Sequence, residues 1–395
     1  MSTIDERVEP AAGLMTAATR GARSRQPSAP WMAFLWRLLL SDYFVLYLTI
    51  IFFVVASFFF PTLSAPGNIS NQLSNIWPLL AVAVGQTFVL ILGGIDLSVT
   101  SIMAVTSVGG ALLMTQVLDG PTFDKSPLWG TLINENGGLL SGNPQAVLIA
   151  VAFMLLLGTL IGLWNGFAIT RFKMAPFMVT LVSMIVFSAL ALWLTASRNV
   201  SGLPADFVLL GKGDIVSVFL GPKLNPDIAR RDVLPFITYP FAIAVTLAVV
   251  AHYILGRTVF GRHMYSIGTN RRASEISGVP SQRVIMLVYA FSGFCAAVSA
   301  ILYSARLEIG RPSLGDGLLM DIIGAAVIGG TSLFGGKGTI KGTFFGVAFF
   351  ILLLNILNAM RLSPFVIDAV KGVVILTAAL LDITRTRLAN REQRA

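Results

Sequence analysis

The stretch "LILGGIDLSVTSIM" (Leu90 to Met103) sets a carboxylate, Asp96, between two apolar runs, beside Gly93 and Gly94 and one residue short of Ser98. What that aspartate does depends on its surroundings. They belong to a chain of 395 residues that is 55% hydrophobic and 12% charged, with mean hydropathy +0.80. Soluble domains carry about 25% charged residues. Many apolar stretches here reach the roughly 18 to 22 residues that cross hydrocarbon. The chain therefore reads as an all-α polytopic membrane protein, because an open strand leaves its backbone unpaired in lipid.

Working outward from Asp96 gives ten predicted spans: 43–61, 76–93, 97–117, 145–170, 175–196, 234–255, 284–304, 317–334, 339–360 and 363–382. Asp96 falls at the short junction of spans 2 and 3. With the N-terminus inside, eighteen of the 28 Lys and Arg fall in cytoplasmic segments and nine outside. Five of the nine lie in the long loop 197–233, where the positive-inside rule is weak. Both termini are therefore expected in the cytoplasm. Residues 1–30, rich in Ala, Ser, Pro and Arg, read as a disordered cytoplasmic tail; the apolar run after them is too long for a cleaved signal. Residues 31–395 read as one transmembrane domain with a cytoplasmic loop, 256–283.

Several function classes are excluded by what the sequence lacks. The net charge of +9 lies in membrane loops and does not point to nucleic acid. Cys295 is the single cysteine, so no intrachain disulfide forms. His252 and His263 have no metal-ligand spacing to another His or Cys. "GGTSLFGGKGT" (Gly329 to Thr339) fails the phosphate-loop pattern, since Thr331 stands five before Gly336 and Gly338 follows Lys337. No cofactor is expected on this chain.

Glycines recur every fourth residue in span 4 (Gly158, Gly162, Gly166) and at span 9 (Gly338, Gly342, Gly346). Such ladders let helices approach closely. They lie five spans apart, which hints at an inverted repeat of spans 2–5 in 7–10. Both ladders fall in the cytoplasmic half, however, where an inverted pair would sit at opposite depths.

The loop "GRTVFGRHMYSIGTNRRASEISGVPSQR" (Gly256 to Arg283) predicts a short helix, capped by Thr269 or Asn270 and ended by Gly278 and Pro280. Arg272 and Glu275 are spaced to pair on it. A capped helix projecting from the membrane suits docking on a soluble partner. "GRHMYSIGTNRRASEISGVP" closely resembles the coupling loop of permease subunits in bacterial ABC importers of the ribose/xylose class. "GGIDLSVTS" (Gly93 to Ser101), "WNGFAITRFKMAPFMVTLVSM" (Trp164 to Met184) and "AAVIGGTSLFGGKGTIKGTFFG" (Ala325 to Gly346) are similar to further blocks of that family, in the expected order. The resemblance assigns Asn270, Arg271, Arg272, Ala273, Glu275 and Gly278 to the coupling loop. It implies a second permease copy, a cytoplasmic ATPase carrying ATP and Mg, and a periplasmic binding protein delivering a monosaccharide or polyol across the bacterial inner membrane. Thr100, where the family often has glycine, and the extended external loops 118–144 and 197–233 depart from the pattern.

Asp96 has a local role open to it as the cap of span 3, accepting from amides near Ser98 or Val99. It also has a functional one, as part of a broken helix lining the solute path. Gln86, Asp96, Ser98, Asn165, Asn355 and Asn358 are the candidate path residues, and Asp368 and Lys371 are spaced to neutralise each other. An ion-coupled transporter using Asp96, Asp321 and Asp368 is the alternative from a different class. Permeases for branched-chain amino acids or nucleosides share the architecture.

Overall fold

The computed structural model describes residues 43–219 and 233–392, so the 1–30 tail lies outside the described residues. Helices follow in the order α1 (Phe44–Phe59), α2 (Pro66–Ile91), α3 (Val99–Met114), α4 (Ala146–Arg171), α5 (Pro176–Leu194), α6 (Tyr239–Arg257), α7 (Val259–Thr269), α8 (Arg271–Ile276), α9 (Ser281–Leu307), α10 (Leu318–Ile328), α11 (Ile340–Ala359) and α12 (Pro364–Glu392). Proline in the first turn of α2, α5 and α6 places its missing N–H where a helix has no use for one. Six helices, α2, α4, α5, α6, α9 and α11, are long and apolar enough to cross a membrane. The protein is thus a helical polytopic membrane protein, with two small antiparallel hairpins, 133–134 with 137–138 and 214–219 with 233–238, in its long loops.

Three predicted spans are shorter than expected, α1 with 16 residues among them. α3 has 16 residues and α10 has 11, reaching about 24 Å and about 16 Å against a hydrocarbon core of about 30 Å. Non-helical segments, 93–98 and 308–317, lead into them. Such backbone survives at membrane depth only when protein satisfies it. Here the Thr180 hydroxyl donates to the Ile95 carbonyl (3.2 Å) and the Arg311 amide donates to Ser107 Oγ (3.0 Å). Gly315 lies where a Cβ would stand 2.4 Å from the Thr100 carbonyl and 2.5 Å from its Cβ. The bulk of Thr100 is thus met by a residue without a side chain.

α2 and α9 form the centre and run antiparallel. Gly85 lies on Ser292 and Cys295, Ser299 donates to the Pro78 carbonyl (2.8 Å), and Arg306 donates to Asn75 (2.5 Å) and Asn71 (2.8 Å). The pattern of packed pairs is unchanged when α2, α3, α4 and α5 are exchanged with α9, α10, α11 and α12. α4 on α9 answers α11 on α2, α3 on α4 answers α10 on α11, and α3 on α5 answers α10 on α12. The antiparallel α2 and α9 are counterparts in this exchange.

The two glycine ladders face different partners. Gly158, Gly162 and Gly166 face α9, against Gly293, Tyr289 and Met286. Gly342 and Gly346 face α10, against Gly329 and Ala325. Gly338 is not on the helix at all. It precedes the N-cap Thr339 with φ +154°, in the turn before α11.

Lys371 makes the expected pair with Asp368 and a second, buried one with Asp321. Its Nζ lies 2.9 Å from Asp321 on α10 and 3.4 Å from Asp368, which is 70% exposed. The buried partner dominates, because attraction strengthens as water is excluded. Lys371→Met strands the Asp321 carboxylate and is expected to destabilise the protein by about 3–5 kcal/mol. Adding Asp321→Leu should restore most of the lost thermal stability in detergent, whereas Asp368→Asn should leave it within about 0.5 kcal/mol of the parent.

Candidate coupling interface and translocation path

Asp96 sits where α2 stops. Gly93, at φ +77°, and Gly94 turn the chain, their amides donating to Leu90 (2.8 Å) and Val89 (3.1 Å). The Tyr289 hydroxyl occupies the space a Cβ on Gly94 would need, 2.6 Å away. Fully buried, Asp96 accepts from the Ser98 amide (3.0 Å), the Ser98 hydroxyl (2.5 Å) and the Ser292 hydroxyl (2.9 Å). The expected bond to the Ser98 amide is made, but Ser98 is itself the N-cap of α3, so Asp96 fixes the residue before the helix and does not cap its first turn. Asn165 on α4 donates to Ser98 Oγ (2.8 Å) and accepts from Ser183 on α5 (2.5 Å). One continuous polar chain ties the break to α4, α5 and α9.

The structure thus brings Asp96, Ser98 and Asn165 together and adds Ser183 and Ser292. Gln86 is fully buried, and both its amide atoms lack a partner among the described residues. Asn355 stands elsewhere, in a reciprocal amide pair with Asn68 (3.0 and 3.1 Å) that joins α11 to α2. Asn358, exposed, donates to the Leu354 carbonyl of its own helix. The two asparagines do not form a common site with Asp96.

On the loop between α6 and α9, Asn270 caps α8 by accepting from the Ala273 amide (3.0 Å), and Gly278 at φ +84° follows its end. The ion pair is Arg271 with Glu275 (2.9 Å), one residue earlier than the expected Arg272. Arg272 and Ala273 are exposed. Ser274 turns inward onto Ser266 of α7 (2.7 Å), which fixes the rotation of α8. Ile276 ends α8 at 81% exposure, an apolar tip left uncovered by the described residues.

α7 connects this tip to the break by backbone alone. A Cβ on Gly268 would stand 1.9 Å from the Ile91 carbonyl and 2.6 Å from the Gly336 amide. The Gly336 amide donates to that same carbonyl (2.8 Å). One on Gly335 would stand 2.8 Å from the Gly268 carbonyl and 2.9 Å from the Gly93 amide. Tyr265, its hydroxyl pushed above the ordinary phenol range by burial, donates to the Gly338 carbonyl (2.7 Å). Glycine at 93, 268, 335 and 336 lets three chain segments touch main chain to main chain, with no soft side chain between them.

The family model described as branched-chain amino acid transport system/permease component matches residues 68–379, and so covers α3 to α11 with most of α2 and α12. The chain belongs to this permease family. Its relatives include the ribose import permease protein RbsC of Bacillus subtilis (strain 168), 34% identical over 83% of this chain and 88% of that protein. The xylose transport system permease protein XylH of Haemophilus influenzae is 27% identical over 81% and 90%. The L-arabinose ABC transporter permease protein AraH of Azospirillum brasilense is 28% identical over 84% and 85%. No solved structure matches this permease. Among its described residues, no cluster of His, Cys, Asp and Glu is arranged to hold a metal ion.

Proposed function

We propose that this permease is the membrane subunit of an ATP-driven importer that carries a monosaccharide or polyol into a bacterial cell across its inner membrane. It works as a pair of copies, each with ten spans, inverted repeats and both termini in the cytoplasm. ATP and Mg belong to a separate ATPase, and an external binding protein delivers the solute. Relatives named for ribose, xylose and arabinose support a sugar over the branched-chain amino acid of the family's title.

The observation that carries the reading is the main-chain contact of Gly268 with Ile91 and of Gly335 with Gly93. In this mechanism the ATPase holds α8 by Ile276 and its exposed neighbours Arg272 and Ala273. A push on α8 passes through the Ser274–Ser266 contact to α7, and from Gly268 to the end of α2. The break at 93–98 then shifts against α4, α5 and α9, carrying the Asp96–Ser98 pair with it. Gln86, one turn before the break, has bonding capacity to offer a sugar hydroxyl when the route opens. Hydroxyl-rich walls bind sugars weakly in water's presence, which suits a route that must release its cargo.

Ile276→Asp is expected to reduce co-purification of the ATPase at least about tenfold, since burying an unpaired carboxylate at an interface costs more than about 1.4 kcal/mol. The folded yield of the exposed-tip variant should match the parent. Undiminished ATPase capture would remove α8 from the docking surface.

The ion-coupled alternative is disfavoured by the partners of its carboxylates. Asp321 and Asp368 share Lys371, and Asp96 is held by three donors. A proton carrier needs a carboxylate that changes partners readily.

A further inference from the structure

Beside the coupling helix lies a pocket of about 910 Å³ that the coupling route does not use. Its walls come from the end of α4 and the turn after it (Thr170, Lys173, Met174), from α8 (Arg271, Glu275) and from the segment entering α9 (Pro280, Ser281, Arg283). Three cations on three separate segments face one carboxylate. Arg271 already engages that carboxylate, Glu275, at 2.9 Å. Among the described residues, neither Lys173 nor Arg283 is in an ion pair. Two like charges facing one space without a counter-charge repel, and an anion between them relieves the repulsion. α9 begins beside the same space with no side-chain cap from its N-cap, Pro280, while its Ser281 amide donates to the Val279 carbonyl (2.8 Å). Part of the lining is apolar, with Met174 and Pro280, and Phe172 and Phe177 in the adjoining turn are 62% and 50% exposed.

We propose that this pocket binds a phosphate-bearing anion, with Lys173 and Arg283 as its cationic ligands. The apolar lining and the exposed phenylalanines favour the headgroup of an anionic phospholipid over a free phosphate ester, because an acyl chain covers them and a free ester does not. An occupant there touches Arg271 and Glu275 from a side that Ile276 does not line, so lipid composition bears directly on the coupling helix. The inference rests on the proposed cytoplasmic placement of this face but not on transport. Its test therefore reads binding alone.

The full-length chain would be reconstituted in nanodiscs of phosphatidylcholine doped with phosphatidylglycerol, then extracted, and the retained lipid counted by mass spectrometry. Lys173→Gln/Arg283→Gln would be compared with the parent and with Lys341→Gln, a cation outside the pocket. Retention of phosphatidylglycerol by the parent and the Lys341 variant, falling about tenfold in the double variant, supports the lipid source; each lost charged contact suffices for such a change. Saturable binding of radiolabelled inorganic phosphate by the parent and not by the double variant, without lipid retention, supports the site with a free ester as its ligand. Equal binding of both probes by parent and double variant overturns the proposal. So does loss of ATPase capture in the double variant with no difference in either probe, which makes the pocket a protein-docking cleft.

Discussion

Leucine in place of Gly162 is expected to leave no monodisperse protein in a detergent extract. A Cβ at that position would stand 2.1 Å from the Tyr289 carbonyl oxygen and 2.9 Å from its carbonyl carbon. Those atoms are main chain of α9 and cannot rotate away. The helices would have to part along the whole seam, because a Cβ on Gly293 across from it would already lie 2.1 Å from the Gly158 carbonyl. Separating α4 from α9 also drags Asn165 from Ser98, so packing and polar contacts fail together. The expected loss exceeds about 4 kcal/mol, well above the usual range for a single substitution. Gly256→Ala in α6, with nothing within 4 Å of the added carbon, should be neutral or stabilise by up to about 1 kcal/mol through helix propensity. Fluorescence-detected gel filtration and thermal unfolding of the extracts separate the two outcomes.

Gly268→Val is expected to produce a different failure: a folded, ATPase-binding transporter that does not transport. The valine Cβ cannot occupy a point 1.9 Å from the Ile91 carbonyl, so α7 must lift from the end of α2. α7 packs on α2, α6 and α9, but displacing it leaves the seams of α2 with α9 and of α4 with α9 in place. Solute uptake should fall by about 100-fold or more, roughly the effect of a coupling energy near 3 kcal/mol. Capture of the ATPase through Ile276 should persist, and basal ATP hydrolysis should lose its response to the loaded binding protein. Normal uptake in this variant would break the proposed link between coupling helix and broken helix.

Hydropathy placed the helices well because apolar runs and prolines mark them in any context. It overran α3 at 97–98 and 115–117 and α10 at 329–334, because Leu97, Val117, Leu333 and Phe334 continue the apolar runs past the helix ends. Spacing by fours drew Gly338 into a ladder, although the residue serves the turn before α11. The Asp96–Ser98 bond was legible since the two residues are two apart, although Ser98 and not Asp96 is the N-cap of α3. Ser183 and Ser292 were not, because a serine within an apolar helix leaves no pattern and its partner is distant in sequence. The pair of Lys371 with Asp368 was legible from its three-residue spacing, whereas its buried partner, Asp321 on α10, is distant in sequence. In α8, three- and four-residue spacings both permit an ion pair; the contact of Ser274 with Ser266 sets the rotation that selects Arg271. The main-chain contact at Gly268 joins stretches far apart in the sequence, and no local motif announces it.

The most direct measurement is uptake of ribose, xylose or arabinose, tested one at a time, into proteoliposomes holding this permease with its ATPase and binding protein, with and without a protonophore at constant ATP. The account predicts uptake of one such sugar that requires ATP and the ATPase and is unaffected by the protonophore. Uptake that proceeds without the ATPase and collapses when the proton gradient is dissipated would contradict it.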